Sequence, residues 1–262
     1  MTQPRVASCG ERCDAFTLVE LMVVVAIVLV LFGLTLPAIQ SAQQRAGGIA
    51  CLNNLKQLQV GWQLYADDHS GSLALNWSNN EGGTWRSTKN SWCGPSSAPR
   101  DQDEKNLQEG VLYSYCSTPQ IFVCPSDNSP VLDSGKRRSR SYSVNSTFAG
   151  NYSFRAHPHP RFETLRKIEE AGGQAATLFV FVDEHEMSID DGHFLVWPRP
   201  ETTRPNTPAA RHNRAGTFSF ADGHCETRRW LGSMRAVKAG GMPLVGKQLK
   251  DLHWLQDHAH IR

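Results

Sequence analysis

The chain has no surplus of either charge sign: 27 Lys and Arg stand against 25 Asp and Glu, for a formal net charge of +2. There is no acidic tail, and the longest basic run, Lys136-Arg137-Arg138, lies in a Ser-rich stretch and reads as solvated surface. Such a balance gives no electrostatic footprint for nucleic acid. Common catalytic signatures are missing as well. No Gly-x-Ser-x-Gly, Ser-x-x-Lys, phosphate-cradling Gly-rich loop or helix-borne His-Glu-x-x-His occurs, and the pairs Gly47-Gly48, Gly82-Gly83, Gly172-Gly173 and Gly240-Gly241 read as turns or weak points. No Cys-x-x-Cys exists, so a zinc ribbon is not expected.

What the chain does have is one long apolar run. From Phe16 to Leu36 every residue is apolar except Thr17, Thr35 and Glu20, with Gly33 in between. About 20 such residues, rising about 1.5 Å each, span a bilayer core. A carboxylate in that setting costs roughly 2.5–3.5 kcal/mol on insertion scales, so Glu20 needs a partner or a task. A secretory signal peptide would be cut after its apolar stretch, but Pro37-Ala38-Ile39 is a poor site. The small residue, Ala15, instead precedes the stretch, followed by Phe16-Thr17-Leu18-Val19-Glu20.

That arrangement resembles the leader of type IV prepilins and type II secretion pseudopilins. The resemblance implies cleavage between Ala15 and Phe16 by a prepilin peptidase, methylation of the new amine, and a helix-kinking role for Pro37. It also implies that Glu20 neutralises the N-terminal ammonium of a neighbouring subunit. Ala15 departs from the glycine usual before the cut. Loss of the leader would remove Cys9 and Cys13, leaving Cys51, Cys93, Cys116, Cys124 and Cys225, an odd number that allows one or two disulfides outside the cytoplasm.

Beyond Pro37, apolar residues recur at Ile39, Ala42, Ala46, Ile49, Leu52, Leu55, Leu58, Trp62 and Tyr65, in steps of three or four. This is one face of a helix. The reading is a single bent helix from about Phe16 to Asp67, divided into leader 1–15, membrane segment 16–36 and amphipathic half 37–70, with a globular head over 71–262. Trp77, Trp85 and Trp92 are expected at the edge of the core, and Leu107 to Ser117 as a short helix or turn. Ile121 to Asp127 is expected as a buried strand ending in a Pro turn. Further strands are expected near Arg140–Asn145, Ala176–Asp183 and His193–Trp197. Pro158 and Pro160 mark a loop, followed by a short helical piece near Phe162–Glu170. Thr217 to Ala221, Asp222-Gly223 and His224 to Trp230 form a hairpin pattern with positive φ expected at both turn positions. An α+β, pilin-like fold follows, with the long helix laid on an antiparallel sheet.

Further segments extend the resemblance to a pseudopilin-like family: Cys51-Leu52-Asn53-Asn54-Leu55-Lys56-Gln57-Leu58, then Cys124-Pro125-Ser126-Asp127, then His212 with nine residues before Asp222-Gly223. The resemblance implies an inner-membrane, single-pass, non-enzymatic subunit with an extracytoplasmic head. Its partners would be other pilin-like subunits, the prepilin peptidase, membrane lipid and an assembly platform with its own ATPase. Two alternatives belong to other classes. One is an anchored metal-dependent hydrolase using His212, Asp222 and His224, with Asp183, Glu184, His185 and Glu186 as further donors. The other is a surface module binding glycan or protein through exposed tryptophans. Turn geometry already accounts for Asp222, so His212 is expected to be a structural histidine bonded to the hairpin backbone. No cofactor is expected. Calcium at Asp183, Asp190 and Asp191 is the lesser alternative, because those residues lack the alternation of an EF-hand loop.

Overall fold

The computed structural model of the chain describes residues 17–101, 103–116, 118–132, 134–150, 164–234 and 243–261. The Ala15–Phe16 junction, the Pro158–Pro160 loop, the first residues of the Phe162–Glu170 piece and the Gly240-Gly241 pair fall outside them. The chain divides into two compact units, Met1–Gln43 and Gln44–Arg262.

Helix α1 covers Leu18–Asp68 and continues through Pro37 and Gly47-Gly48. It stops where Ser70 takes φ 55° and Gly71 donates its N–H to Ala66 O at 2.8 Å. That six-to-one bond across a left-handed residue is the Schellman way of ending a helix. Among the described residues of the first unit the apolar side chains are exposed, Leu18 at 70% and Leu34 at 71% for example. The helix is long and apolar enough to cross a membrane.

The second unit is an α+β arrangement. Strands β1 (Ser78–Glu81) and β2 (Thr84–Ser87) form a small hairpin, and α2 (Lys105–Gln108) and α3 (Tyr113–Cys116) are single turns. The main sheet has five strands in the order β5-β3-β4-β6-β7. They are β3 (Tyr142–Asn145), β4 (Phe179–Asp183), β5 (His193–Phe194), β6 (Ala215–Phe220) and β7 (Cys225–Arg229). Pairing is antiparallel except at β3–β5, which is parallel, so the sheet is mixed. Helix α4 (Gly246–Ala259) follows.

Both faces of the sheet are covered. On one lie Cys51, Leu55, Leu58, Trp62 and Ala66 of α1 with Tyr142, Val144, Val180 and Phe181. On the other lie Phe179, Val182, Phe194, Phe218, Phe220 and Trp230 with Leu255 and Ala259 of α4. The buried stripe of α1 is thus rotated from the expected one: Ile49 is 69% exposed, whereas Gly48 and Cys51 face inward.

Strand β4 carries a β-bulge. Phe179 pairs with Phe220 and Val182 with Phe218, so three steps on β4 face two on β6. The extra residue puts Val180 and Phe181 on the same side of the sheet and restores alternation after them. Ser219 Oγ accepts the N–H of Phe181 at 3.1 Å, filling the gap in the ladder, and donates to Gln59 Oε1 of α1 at 2.8 Å. The bulge matters because it turns Asp183, next in line, towards α1 rather than α4.

Three local expectations are corrected. Ile121–Asp127 is not a strand; Pro119–Phe122 is a 3-10 turn, opened by Pro at its start, and Val123 after it is extended. Arg137 and Arg138 are not simply solvated. Arg137 clasps the chain by donating to Asp127 O, Cys124 O and Pro125 O at 2.5, 2.7 and 2.9 Å, and Arg138 is buried. Trp92 is not at an edge but inside the core, while Trp77 is 38% exposed.

Candidate functional site

At the head of α1, Thr17 and Glu20 hold one another. Thr17 N–H and Thr17 Oγ1 both donate to Glu20 Oε2, at 2.9 and 2.7 Å, and Glu20 N–H donates to Thr17 Oγ1 at 3.2 Å. Thr17 O accepts the first helical bond, from Leu21 N–H. This is a capping box, in which two backbone donors that the helix itself leaves unmet are satisfied reciprocally. In lipid no water would meet them, so the box matters more there than at a wet helix end. Sequence reasoning assigned Glu20 an intermolecular task and overlooked this intramolecular one, although Thr-x-x-Glu before an apolar run is its signature.

The second constellation lies in the head, where two motif segments and the end of β4 converge on one stretch of α1. Cys51 Sγ, Cys124 Sγ, a carboxylate oxygen of Asp183 and a ring nitrogen of His212 lie within 4.8 Å of one another. Cys51 stands on α1, Cys124 opens the Cys-Pro-Ser-Asp turn, Asp183 ends β4 and His212 precedes β6. Cys124 Sγ is 3.2 Å from His212 Nε2, and Asp183 Oδ2 is 3.9 Å from both Cys51 Sγ and His212 Nε2. His212 is 5% exposed and the other three are fully buried, so a substrate has no access to the cluster.

The glycine pair in α1 lines this approach. A Cβ on Gly47 would stand 2.5 Å from Ser126 Oγ, and one on Gly48 would stand 3.4 Å from His212 Cβ and Cγ. Gly47-Gly48 is therefore the seat on which the Cys124–Asp127 turn and the His212 ring rest.

The surroundings fix the donors. Tyr142 OH donates to Cys51 Sγ at 3.2 Å, and Thr217 Oγ1 lies 3.1 Å from the same sulfur. Arg211 Nη1 donates to Asp183 Oδ1, and Arg211 Nη2 pairs with Asp127 Oδ2 at 3.2 Å and Glu186 Oε2 at 3.0 Å. Asp127 also accepts from Ser141 Oγ at 2.7 Å.

Burial alone would raise the Cys51 thiol, but hydrogen bonds from Cys124, His212, Thr217 and Tyr142 outweigh it and bring the pKa well below its usual range. Its bond to Cys51, then burial, hold Cys124 far up as a thiol. Burial pushes Asp183 to about 7 against the pull of Arg211.

The remaining residues singled out in the sequence do not join this cluster, which is the only group of its kind among the described residues. Asp222 and His224 pair with each other at the exposed hairpin tip, Oδ1 to Nδ1 at 2.6 Å. That tip packs on Lys56 and Gln63 of α1, which lie about 12 Å and about 22 Å along the helix from Gly48. The trio His212, Asp222 and His224 is therefore not one site. His212 uses its side chain on Cys124, not on the hairpin backbone. Asp190 and Asp191 bond the backbone entering β5, Asp191 Oδ1 accepting His193 N–H at 2.8 Å, and do not gather with Asp183. The five described cysteines are free thiols.

Residues 12–36 match the prokaryotic N-terminal methylation motif. No curated protein and no solved structure matches the chain. The motif and the apolar helix that it runs into support a prepilin-like protein, processed by prepilin peptidase and anchored in the inner membrane by a single span.

Proposed function

We propose that this chain is a structural subunit of a pilin-like fibre, either a type II secretion pseudopilus or a type IV pilus-like filament. Its leader ends at Ala15, its mature chain starts at Phe16, and its head stands outside the inner membrane. The observation that carries this reading is the methylation motif over residues 12–36, which contains an apolar run, Phe16 to Leu36, whose only carboxylate is Glu20. Work done by such a subunit is mechanical: apolar helices pack side by side in the fibre, and a partner ATPase drives their addition from the membrane.

Within the fibre Glu20 does two things. Its Oε2 caps its own helix through Thr17, and its negative charge offsets the methylated ammonium of the next subunit. Two opposite charges in a low-dielectric bundle are each costly alone and much less so together.

Processing is tested by mass spectrometry of the membrane-extracted protein, which is expected to begin at N-methylated Phe16. An intact leader in cells with an active prepilin peptidase overturns the assignment. The two duties of Glu20 are separated by a pair of variants. Glu20→Gln keeps the cap, since Gln serves at that position of a capping box, but removes the charge; Glu20→Val removes both. Both variants are expected to insert at least as well as wild type and to enter fibres about tenfold less, ~1.4 kcal/mol. Wild-type incorporation of Glu20→Gln would show that capping, not charge, is the whole of its role.

A further inference from the structure

Two sulfurs, a carboxylate oxygen and an imidazole nitrogen meet in the dry interior of the head, supplied by four separate elements. We propose that Cys51, Cys124, Asp183 and His212 bind one zinc ion as a structural site that staples α1 to the sheet and to the Cys124–Asp127 turn. The inference stands apart from the fibre reading, since it concerns the head alone.

The donor set selects the metal. Two thiolates with one imidazole and one carboxylate suit a borderline-soft d10 ion, and four protein donors close the tetrahedron that structural zinc adopts. Calcium is a poor candidate here, because it takes six to eight oxygens. Ordinary zinc bonds of about 2.0–2.3 Å place neighbouring ligand atoms roughly 3.2–3.8 Å apart in a tetrahedron. The contacts here are 3.2 Å for Cys124 Sγ to His212 Nε2, and 3.9 Å from Asp183 Oδ2 to each of Cys51 Sγ and His212 Nε2. All four donor atoms lie within 4.8 Å of one another, so side-chain movements of up to about an ångström reach the bound geometry.

Charge and the outer contacts agree with it. Two thiolates and a carboxylate carry three negative charges; Zn²⁺ leaves one, and the Arg211 guanidinium on Asp183 Oδ1, shared with Asp127 and Glu186, offsets part of it. Arg211 occupies one oxygen of Asp183 and leaves Oδ2 turned to the other donors. Tyr142 OH and Thr217 Oγ1 lie against Cys51 Sγ, the kind of outer contact that orients a metal ligand. His212 departs from the usual pattern, because its Nδ1 is buried without a hydrogen-bond partner; its ring is fixed by packing on Gly48 instead. A Cys51–Cys124 disulfide would use the sulfurs but leave Asp183 Oδ2 and His212 Nε2 facing atoms that no longer donate or need them.

The test uses the full chain purified in detergent without chelator. Elemental analysis is expected to give about one zinc per chain, and a strong chelator to lower the melting temperature. Replacement by Co²⁺ is expected to produce thiolate-to-cobalt charge transfer and the intense d–d bands of a tetrahedral site. Asp183→Asn and Cys124→Ser are expected to weaken zinc at least tenfold in competition with a chromophoric chelator. Should either variant fail to fold, the cobalt spectrum of the wild-type chain decides the matter. A folded wild-type protein with all its thiols free that takes up neither ion overturns the proposal. So does peptide mapping that finds Cys51 and Cys124 joined in a disulfide.

Discussion

His260 shows how a single ring couples the fold to pH. Its Nε2 lies 3.0 Å from Val196 O, so the neutral ring donates there, and Nδ1 lies 3.5 Å from Thr147 Oγ1. Burial outweighs that bond and pulls the ring down to about 4. Unfolded, the ring takes a proton near 6.5. Between those values the unfolded chain binds more protons than the folded one, so His260 supports the fold fully above about pH 6.5 and progressively less down to about pH 4. Asp190, pushed up to about 7 by burial and then by Asp191, acts in the opposite sense, so only a difference between variant and wild type isolates one group. His260→Gln keeps a donor for Val196 O but cannot charge. Its loss of stability between pH 7 and pH 4.5 is expected to be smaller than wild type's by about 1–2 kcal/mol, read by urea unfolding of the detergent-solubilised chain. Equal losses in the two proteins would count against the assignment.

Among the elements, the β6–β7 hairpin was the most legible from sequence, because alternation and Asp-Gly each point to it. Its turn is nonetheless of another kind than both residues at positive φ would make. Only Gly223 is left-handed, at φ 95°, while Phe220 O accepts Gly223 N–H and Phe220 N–H donates to His224 O, a three-residue loop closed by a bulge. Gly223→Val is expected to destabilise the head by about 1–3 kcal/mol, since a Cβ there is strained and would also stand 3.0 Å from Gln63 Nε2. Asp222→Asn is expected to change the melting temperature little, because the amide oxygen still accepts His224 N–H, a 3.1 Å bond in wild type. A larger effect from Asp222→Asn than from Gly223→Val would mean that the carboxylate charge, not the turn, matters at this tip. Less of the rest could be read. Pro119 and a short apolar run imitate a strand at Ile121–Val123, where periodicity cannot arbitrate. Leu252, Leu255 and Ala259 repeat at helical steps in α4, but that segment drew no expectation. The metal-type cluster was hidden for a deeper reason: Cys51 and His212 are joined only by tertiary packing, and Asp183 reaches them only because a bulge, which leaves no mark in the residue pattern, reverses its side of the sheet.

At the scale of the whole molecule, the two ends of the chain carry unequal parts of the fold. Before Gln44 every described apolar side chain of α1 is exposed, and the buried stripe starts at Gly48. Removing residues 1–43 therefore takes away the membrane anchor and no part of either core. The other end is different. Helix α4 lays Leu252, Leu255 and Ala259 into the molecule, and Trp254 meets Phe218 at 5.1 Å and Trp230 at 6.2 Å. Its last turn is held by Thr147 Oγ1 and Asn145 Nδ2, which both donate to Ala259 O, and Asp251 accepts the N–H groups of Leu231 and Gly232. Ending the chain at residue 245 would open the α4 face of the sheet at Phe179, Phe194, Phe218, Phe220 and Trp230. Each such side chain is worth about 1.5–3 kcal/mol when fully buried, and a domain's whole margin is about 5–15 kcal/mol. A chain starting at Gln44 is thus expected to be soluble without detergent and to unfold in one sharp transition, with near-UV circular dichroism matching the full chain. A chain ending at residue 245 is expected to aggregate or to bind hydrophobic dyes as a loosened state. A full-length-like melt from the C-terminal truncation would show that α4 is an accessory to the sheet rather than one of its two covers.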